Sequence, residues 1–280
     1  MKKLSVVKKL IPREVVSNNR LDIPGLDRRL LLRTHGQADS CISQQIQTRG
    51  IWEPYETSLL IEHLKAGDVF LDIGANIGYY TLLASVIVKG DGVVIACEPD
   101  LENCRLLHEN LALNQVDNVV VFHAAVSDYN GSGRLYLSPD NKGDHRLYDC
   151  GDGRDSTPAR VITGENLRDV MNRVDFIKID TQGAEYNILK GLENIILENK
   201  SHLTMIVEFW PYGLRMSGAS AGKMLDLLAS FDMGVSIIDH YGRQLWPAGI
   251  NGVRTWSEEV AADPSNQGFI NLWITPSREI

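Results

Sequence analysis

Asp72, Gly74, Asn76 and Gly78 occupy alternate positions in Val69-Phe-Leu-Asp-Ile-Gly-Ala-Asn-Ile-Gly-Tyr-Tyr-Thr81, where an apolar run closes on an acid and gives way to small and polar residues. That order suits a nucleoside cofactor. Gly74 lets the backbone approach a ligand where a β-carbon would collide, and Gly78 permits close packing of the helix that follows. A pyrophosphate loop wants G-x-G-x-x-G with its amides aimed at phosphate. Here Asp72 stands beside the loop, where it repels a pyrophosphate and suits the cationic amino end of a methionine moiety. S-adenosylmethionine is therefore expected rather than a dinucleotide, with Ala75 and Tyr79 in the same binding segment. The bland alternative is a Gly-rich strand-to-helix turn.

Glu98 closes Val94-Ile-Ala-Cys-Glu-Pro99, 26 residues after Asp72, where a ribose-binding acid is expected in such folds. With Pro99 it forms the second part of the cofactor site. Ser127 and Asp128, after His123-Ala-Ala-Val, are candidates for an adenine slot, although Asp128 could equally cap the turn into Asn130-Gly131. Lys178-Ile-Asp180 leads into Thr181-Gln-Gly-Ala-Glu185, which places Asp180 at the reaction zone. Attack of a hydroxyl on a sulfonium methyl is an in-line displacement, so alignment, exclusion of water and a base for the alcohol proton are what the protein must supply. Asp180, Glu185 and Glu208 are candidate bases. The alternative roles are ligation of magnesium, a helix N-terminal charge for Glu185 and a strand-end acid for Glu208. Tyr55 and Tyr79 could offer aromatic faces to the sulfonium or simply pack. The histidines have no visible partners in sequence, His145 in a long loop being the one that could reach the site.

Apolar runs at 69–72, 93–98, 119–123, 176–180, 204–209, 235–239 and 269–275 read as seven strands, most of them continuous, as in strands buried on both faces. Helical patterns lie at 101–113 after Asp100 as N-cap, 184–197 and 219–230, with another opened by Glu53-Pro54. The rhythm predicts an α/β fold, a doubly wound, mostly parallel sheet with helices on both faces. Residues 129–159 read as a hairpin followed by an exposed loop, and 241–267 as a second long loop near the substrate entrance. Trp246, Trp256 and Tyr212 are expected to shape that pocket. Residues 1–50 look like an N-terminal extension to one domain over 51–280.

At 280 residues one large core is the default, burying roughly three quarters of the unfolded surface. The net charge of −8 argues against a phosphate-tracking groove, so nucleic acid is not an expected partner. Residues 1–10 are basic, but Lys8 and Lys9 interrupt any signal-peptide core, and the longest apolar run is about half a membrane span. Cys41, Cys97, Cys104 and Cys150 have neither C-x-x-C spacing nor a clustered His, which predicts free thiols and a cytoplasmic protein without membrane insertion.

Gly50-Ile-Trp-Glu-Pro54, the Asp72–Thr81 loop, Glu98-Pro99, Ala125-Val-Ser-Asp128, Lys178-Ile-Asp180 with Gly183 and Glu185, and Val207-Glu208 together resemble the FkbM-type methyltransferases. The resemblance runs over residues 50–211. It implies a class I methyltransferase (Rossmann-like) fold, S-adenosylmethionine as donor, and methylation of a hydroxyl on a sugar or natural-product acceptor. By the same resemblance Asp72, Gly74, Asn76, Gly78 and Glu98 carry over as cofactor residues. Gln182 stands where that family often has glutamate. A nicotinamide oxidoreductase and a catalytically silent cofactor-binding scaffold are the competing readings, the first disfavoured by the glycine spacing.

Overall fold

The computed structural model describes residues 17–263 and 265–277. The basic run at 1–10 and Pro264 lie outside them. A hairpin of β1 (Ser17–Arg20) and β2 (Leu31–Thr34) leads through α1 (Ile42–Arg49) and α2 (Pro54–His63) into β3 (Val69–Ile73), α3 (Tyr79–Val88), β4 (Val93–Cys97), α4 (Leu101–Leu113) and β5 (Val119–Phe122). A three-stranded side sheet follows, made of β6 (Ala125–Val126), β7 (Gly131–Tyr136) and β8 (Ser156–Ile162). The chain then forms β9 (Phe176–Ile179), α5 (Glu185–Gly191), α6 (Glu193–Asn199), β10 (Thr204–Phe209), α7 (Pro211–Met216), α8 (Ala221–Ser230), β11 (Met233–Asp239), β12 (Gln244–Pro247), α9 (Gly249–Ala261) and β13 (Ile270–Pro276).

The main sheet has the order β12-β11-β13-β10-β9-β3-β4-β5. From β10 to β5 all neighbours are parallel, whereas β13 and β12 pair antiparallel with their neighbours. Strand order reverses between β3 and β9, since the chain proceeds from β3 outward to β5 and from β9 outward the other way. The crevice at the carboxyl ends of these two strands is where open α/β sheets take ligands.

Both faces of the sheet are covered. Ile73, Ile177 and Val207 face one core, with Ile188 of α5 and Leu225 of α8. Phe70, Phe176, Ile206 and Trp273 face the other, with Leu82 of α3. Leu30, Leu32 and Ile46 are buried in that second core, so the described part of the expected extension shares it with the sheet.

The expected seven strands become eight. The extra one, β12, folds back on β11 inside the stretch read as loop, and its mostly exposed side chains gave no alternation to read. The same stretch holds α9, whose Val253, Ser257 and Val260 are buried at helical spacing. Between 184 and 197 the single expected helix is two, α5 and α6, which meet at Leu192. The loop expected after the 129–159 hairpin lies between its strands, because β7 pairs with β8 and residues 137–155 connect them. All four cysteines are free thiols. Among the described residues no helix is long and apolar enough to cross a membrane.

Candidate active site

Every residue of the Asp72–Gly78 loop is fixed by a close contact. Asp72 ends β3 buried, and Thr81 of α3 donates a 2.6 Å hydrogen bond to its Oδ2. Burial pushes the carboxyl up to about 6, against that hydrogen bond and nearby Lys178. Gly74 turns at φ +84°, and a β-carbon there would sit 2.1 Å from the carbonyl oxygen of Asp180. Glycine is thus required first by the end of β9. At Gly78, φ +87°, a β-carbon would press on Leu107 at 3.0 Å, so the glycine seats α3 against α4. Asn76 itself takes a left-handed φ of +52° and turns its backbone N–H onto Glu98 Oε2 at 2.7 Å.

Glu98 is buried, and its Oε1 accepts from the Asp100 backbone at 2.8 Å. Burial pushes it up to about 7, although both backbone bonds favour the anion. Its oxygens retain acceptor capacity, since a carboxylate offers about four lone-pair sites. Glu98 looks into an open-sided cavity of about 510 Å³ lined also by Gly74, Asn76, Pro99, Ala125 and Val126. Ser127 and Asp128 do not line it. Asp128 instead pairs with Lys190 at 2.8 Å, which leaves the wall after β5 to the apolar Ala125 and Val126.

The β7–β8 connection roofs this cavity. The Lys142 carbonyl accepts from Asn76 Nδ2 at 3.0 Å and Asn103 Nδ2 at 3.1 Å, and the Asp140 carbonyl from the Ser40 backbone at 2.9 Å. His145 lines the cavity, as the loop position allowed, with Nδ1 accepting from the Ser138 N–H at 3.0 Å. Burial holds its imidazole below the usual histidine range.

A second cavity of about 380 Å³ shares Gly74 and Asn76 with the first and is lined further by Asp72, Ala75, Tyr79, Tyr80, Lys178 and Asp180. Lys178 is its unusual member. This lysine is 4 % exposed and sits 3.0 Å from Asp180, 3.6 Å from Glu56 and 3.8 Å from Glu53, with its Nζ 4.6 Å from the centre of the Tyr80 ring. Burial would lower it, yet Asp180, Glu53 and Glu56 outweigh burial and hold the ammonium well above the usual lysine range. Tyr80 donates to Glu53 at 2.8 Å, and burial together with Glu56 raises the Glu53 carboxyl. Glu56 is fully buried and also accepts from Asn271 Nδ2 and, at 3.2 Å, faces His240 Nε2. That bond to Glu56 raises the His240 imidazole.

The three candidate acids separate in role. Asp180 alone lines the second cavity. Glu185 Oε1 accepts from the Thr181 N–H and hydroxyl at 3.0 and 2.8 Å and from Gly183 N–H at 3.1 Å, closing its own turn. Glu208 is buried, and burial followed by Asp180 and Glu185 holds it well above the usual carboxylate range. Gln182 bridges Asp180 at 3.1 Å and Glu208 at 3.2 Å through its amide nitrogen, so an amide donor occupies the point between them. That arrangement does not offer magnesium a set of converging oxygens, and among the described residues no group of three or more His, Cys, Asp or Glu could hold a metal ion.

A third, open cleft of about 2040 Å³ includes Trp52, which also lines the second cavity, together with Glu53, Tyr55, His240 and Trp246. Tyr55 therefore belongs to the cleft, while Tyr79 is buried with its hydroxyl 3.0 Å from Thr57. Of the late aromatics, Trp246 lines the cleft, Trp256 packs beside Phe209 and Tyr212 beside Trp210. The Lys178 cluster and the His240–Glu56 pair escaped the sequence reading. A lysine inside the apolar 176–179 run was the available signal.

The Methyltransferase FkbM domain matches residues 72–234. Hexuronic acid methyltransferase AglP of Haloferax volcanii is 27% identical over 141 residues, covering 49% of this chain and 55% of that protein. The match thus spans about half the length of this curated relative. Among solved structures, methyltransferase FkbM from Methylobacillus flagellatus KT aligns with a TM-score of 0.45 at 18% identity, over 74% of this chain and 43% of that one. A putative methyltransferase from Streptococcus mutans in complex with SAH aligns at 0.46 and 12% identity, over 80% and 98%.

Proposed function

The chain belongs to the Methyltransferase FkbM domain family, and from that premise we propose that it is an S-adenosylmethionine-dependent O-methyltransferase acting on a hydroxyl of a small glycosyl acceptor. The observation that carries the reading is the pair of cavities meeting at Gly74 and Asn76, one presenting Glu98 and the other Asp72 and Asp180. Bound S-adenosylmethionine would supply an electrophilic methyl group on a sulfonium.

In the first cavity Glu98 accepts from ribose hydroxyls, Pro99, Ala125 and Val126 wall the adenine, and the 137–155 roof excludes water. In the second, Asp72 suits a cationic amino group, with Ala75 and Tyr79 behind the loop. Glu185 and Glu208 support the turn that carries Asp180 rather than taking a proton. Asp180, Lys178, Glu56 and His240 form successive contacts of 3.0, 3.6 and 3.2 Å, a line of charged groups from the second cavity into the cleft. The proton of an acceptor hydroxyl has Asp180 as its receiver, and the rest of the line holds that carboxylate in place. A sugar acceptor is supported by the related hexuronic acid methyltransferase and by the aromatic cleft.

Incubation of the protein with S-adenosylmethionine and a panel of hydroxylated glycosides tests this. Formation of S-adenosylhomocysteine with a product heavier by one methyl group is expected. Asp180→Ala should lose transfer while keeping cofactor affinity, and wild-type turnover in that variant would remove Asp180 from the mechanism.

A further inference from the structure

We infer that the open cleft between α1, the start of α2 and the β11–β12 turn is the acceptor site, and that it is built for a sugar carrying a carboxylate. This rests on the methyltransferase reading and specifies its acceptor.

Three of the seven exposed large apolar side chains in the described structure, Tyr241, Trp246 and Phe269, line this one cleft. Their flat faces match the C–H faces of a pyranose ring. Trp246 is also oriented, its indole N–H donating to Asp239 Oδ2 at 3.2 Å. Deeper in, Trp52 forms the wall shared with the second cavity, so a ring stacked at the mouth extends toward the transfer zone.

In a chain whose net charge is −8, this cleft sets two arginines against two acids. Arg49 in the last turn of α1 and Arg243 at the β11–β12 turn both line it. Arg243 holds a left-handed φ of +51°, which directs a long side chain from a position where glycine or asparagine is usual. Two acids are present, and both are engaged. Asp239 accepts from the Tyr241 and Gly242 backbone at 3.0 and 2.9 Å besides Trp246, and Glu53 is held by Tyr80 and Lys178. His240 also lines the cleft, its Nε2 3.2 Å from Glu56, a contact that raises the imidazole. A planar carboxylate matches the guanidinium fork, while the hydroxyls of the same ring remain free to be methylated.

The test uses methyl β-glucuronide and methyl β-glucoside, which differ only in the carboxylate. Each is titrated to millimolar concentration into the full chain while the indole N–H signal of Trp246, assigned with Trp246→Phe, is followed by NMR. The glucuronide should shift this signal saturably and bind at least about fivefold tighter than the glucoside. The double variant Arg49→Gln, Arg243→Gln should erase that preference while leaving glucoside binding and cofactor binding unchanged. Equal binding of the two sugars, an unmoved Trp246 signal with both, or a preference that survives the double variant would overturn the inference. Titration of the same sample with S-adenosylmethionine separates the two levels: cofactor binding without sugar binding sinks the acceptor assignment alone, and no cofactor binding sinks the reading beneath it.

Discussion

Glu98 Oε2 accepts the backbone N–H of Asn76 at 2.7 Å, tying the acid after β4 to the loop after β3. Its other oxygen takes the N–H of Asp100 at 2.8 Å. One side chain thus shapes the loop and faces the cavity. Glu98→Gln keeps the size but turns an NH₂ toward one of two backbone donors. Affinity for S-adenosylmethionine should fall by about 1.5–3 kcal/mol, or roughly ten- to a hundredfold, in a calorimetric titration.

The same carboxyl sets a pH dependence. Burial raises Glu98 to about 7 from an ordinary 4.5, so between these values the folded protein holds a proton that the unfolded chain has released. Its contribution to stability is therefore full below about 4.5, declines as pH rises toward about 7, and is level above that. Melting curves across this window should show Glu98→Gln gaining on wild type as pH rises. Cofactor affinity should run the other way, increasing as Glu98 ionises and can accept from ribose hydroxyls.

Gly74→Ala tests the loop without touching a charge. The substitution meets both a left-handed φ of +84° and an overlap 2.1 Å from the Asp180 carbonyl. Strain and overpacking together should destabilise the fold by about 3 kcal/mol, read as a fall of several degrees in the melting temperature. Unchanged melting would mean that β3 and β9 do not approach so closely.

Lys178→Met should be more damaging than its position in a strand suggests. It leaves Glu53, Glu56 and Asp180 without the cation that lies within 3.8 Å of each. A loss of about 3–5 kcal/mol in urea unfolding is expected for removing one partner from buried charges. A loss within about 0.5 kcal/mol would show a solvated cluster instead.

The loop and Glu98 of the candidate site were legible because their signals are local. The Asp72–Gly78 spacing and Glu98 each announce themselves within a few residues, and the apolar runs of β3, β4, β9 and β10 are continuous. The buried charge cluster was not, because Glu56, Lys178, His240 and Asn271 meet only through the tertiary fold. Residues 241–267, with Trp246, Pro247, Trp256 and Pro264, read as loop, although Ile250, Val253, Trp256, Ser257 and Val260 recur at helical spacing. Gly74 and Gln182 taught a further point: the glycine serves the neighbouring strand, and the glutamine bridges two acids.

Calorimetric titration of the purified chain with S-adenosylmethionine and, in parallel, with NAD decides the reading. Saturable one-site binding of the methyl donor that weakens in Glu98→Gln is the expected result. A folded protein that binds no S-adenosylmethionine, or binds NAD in its place, would contradict it.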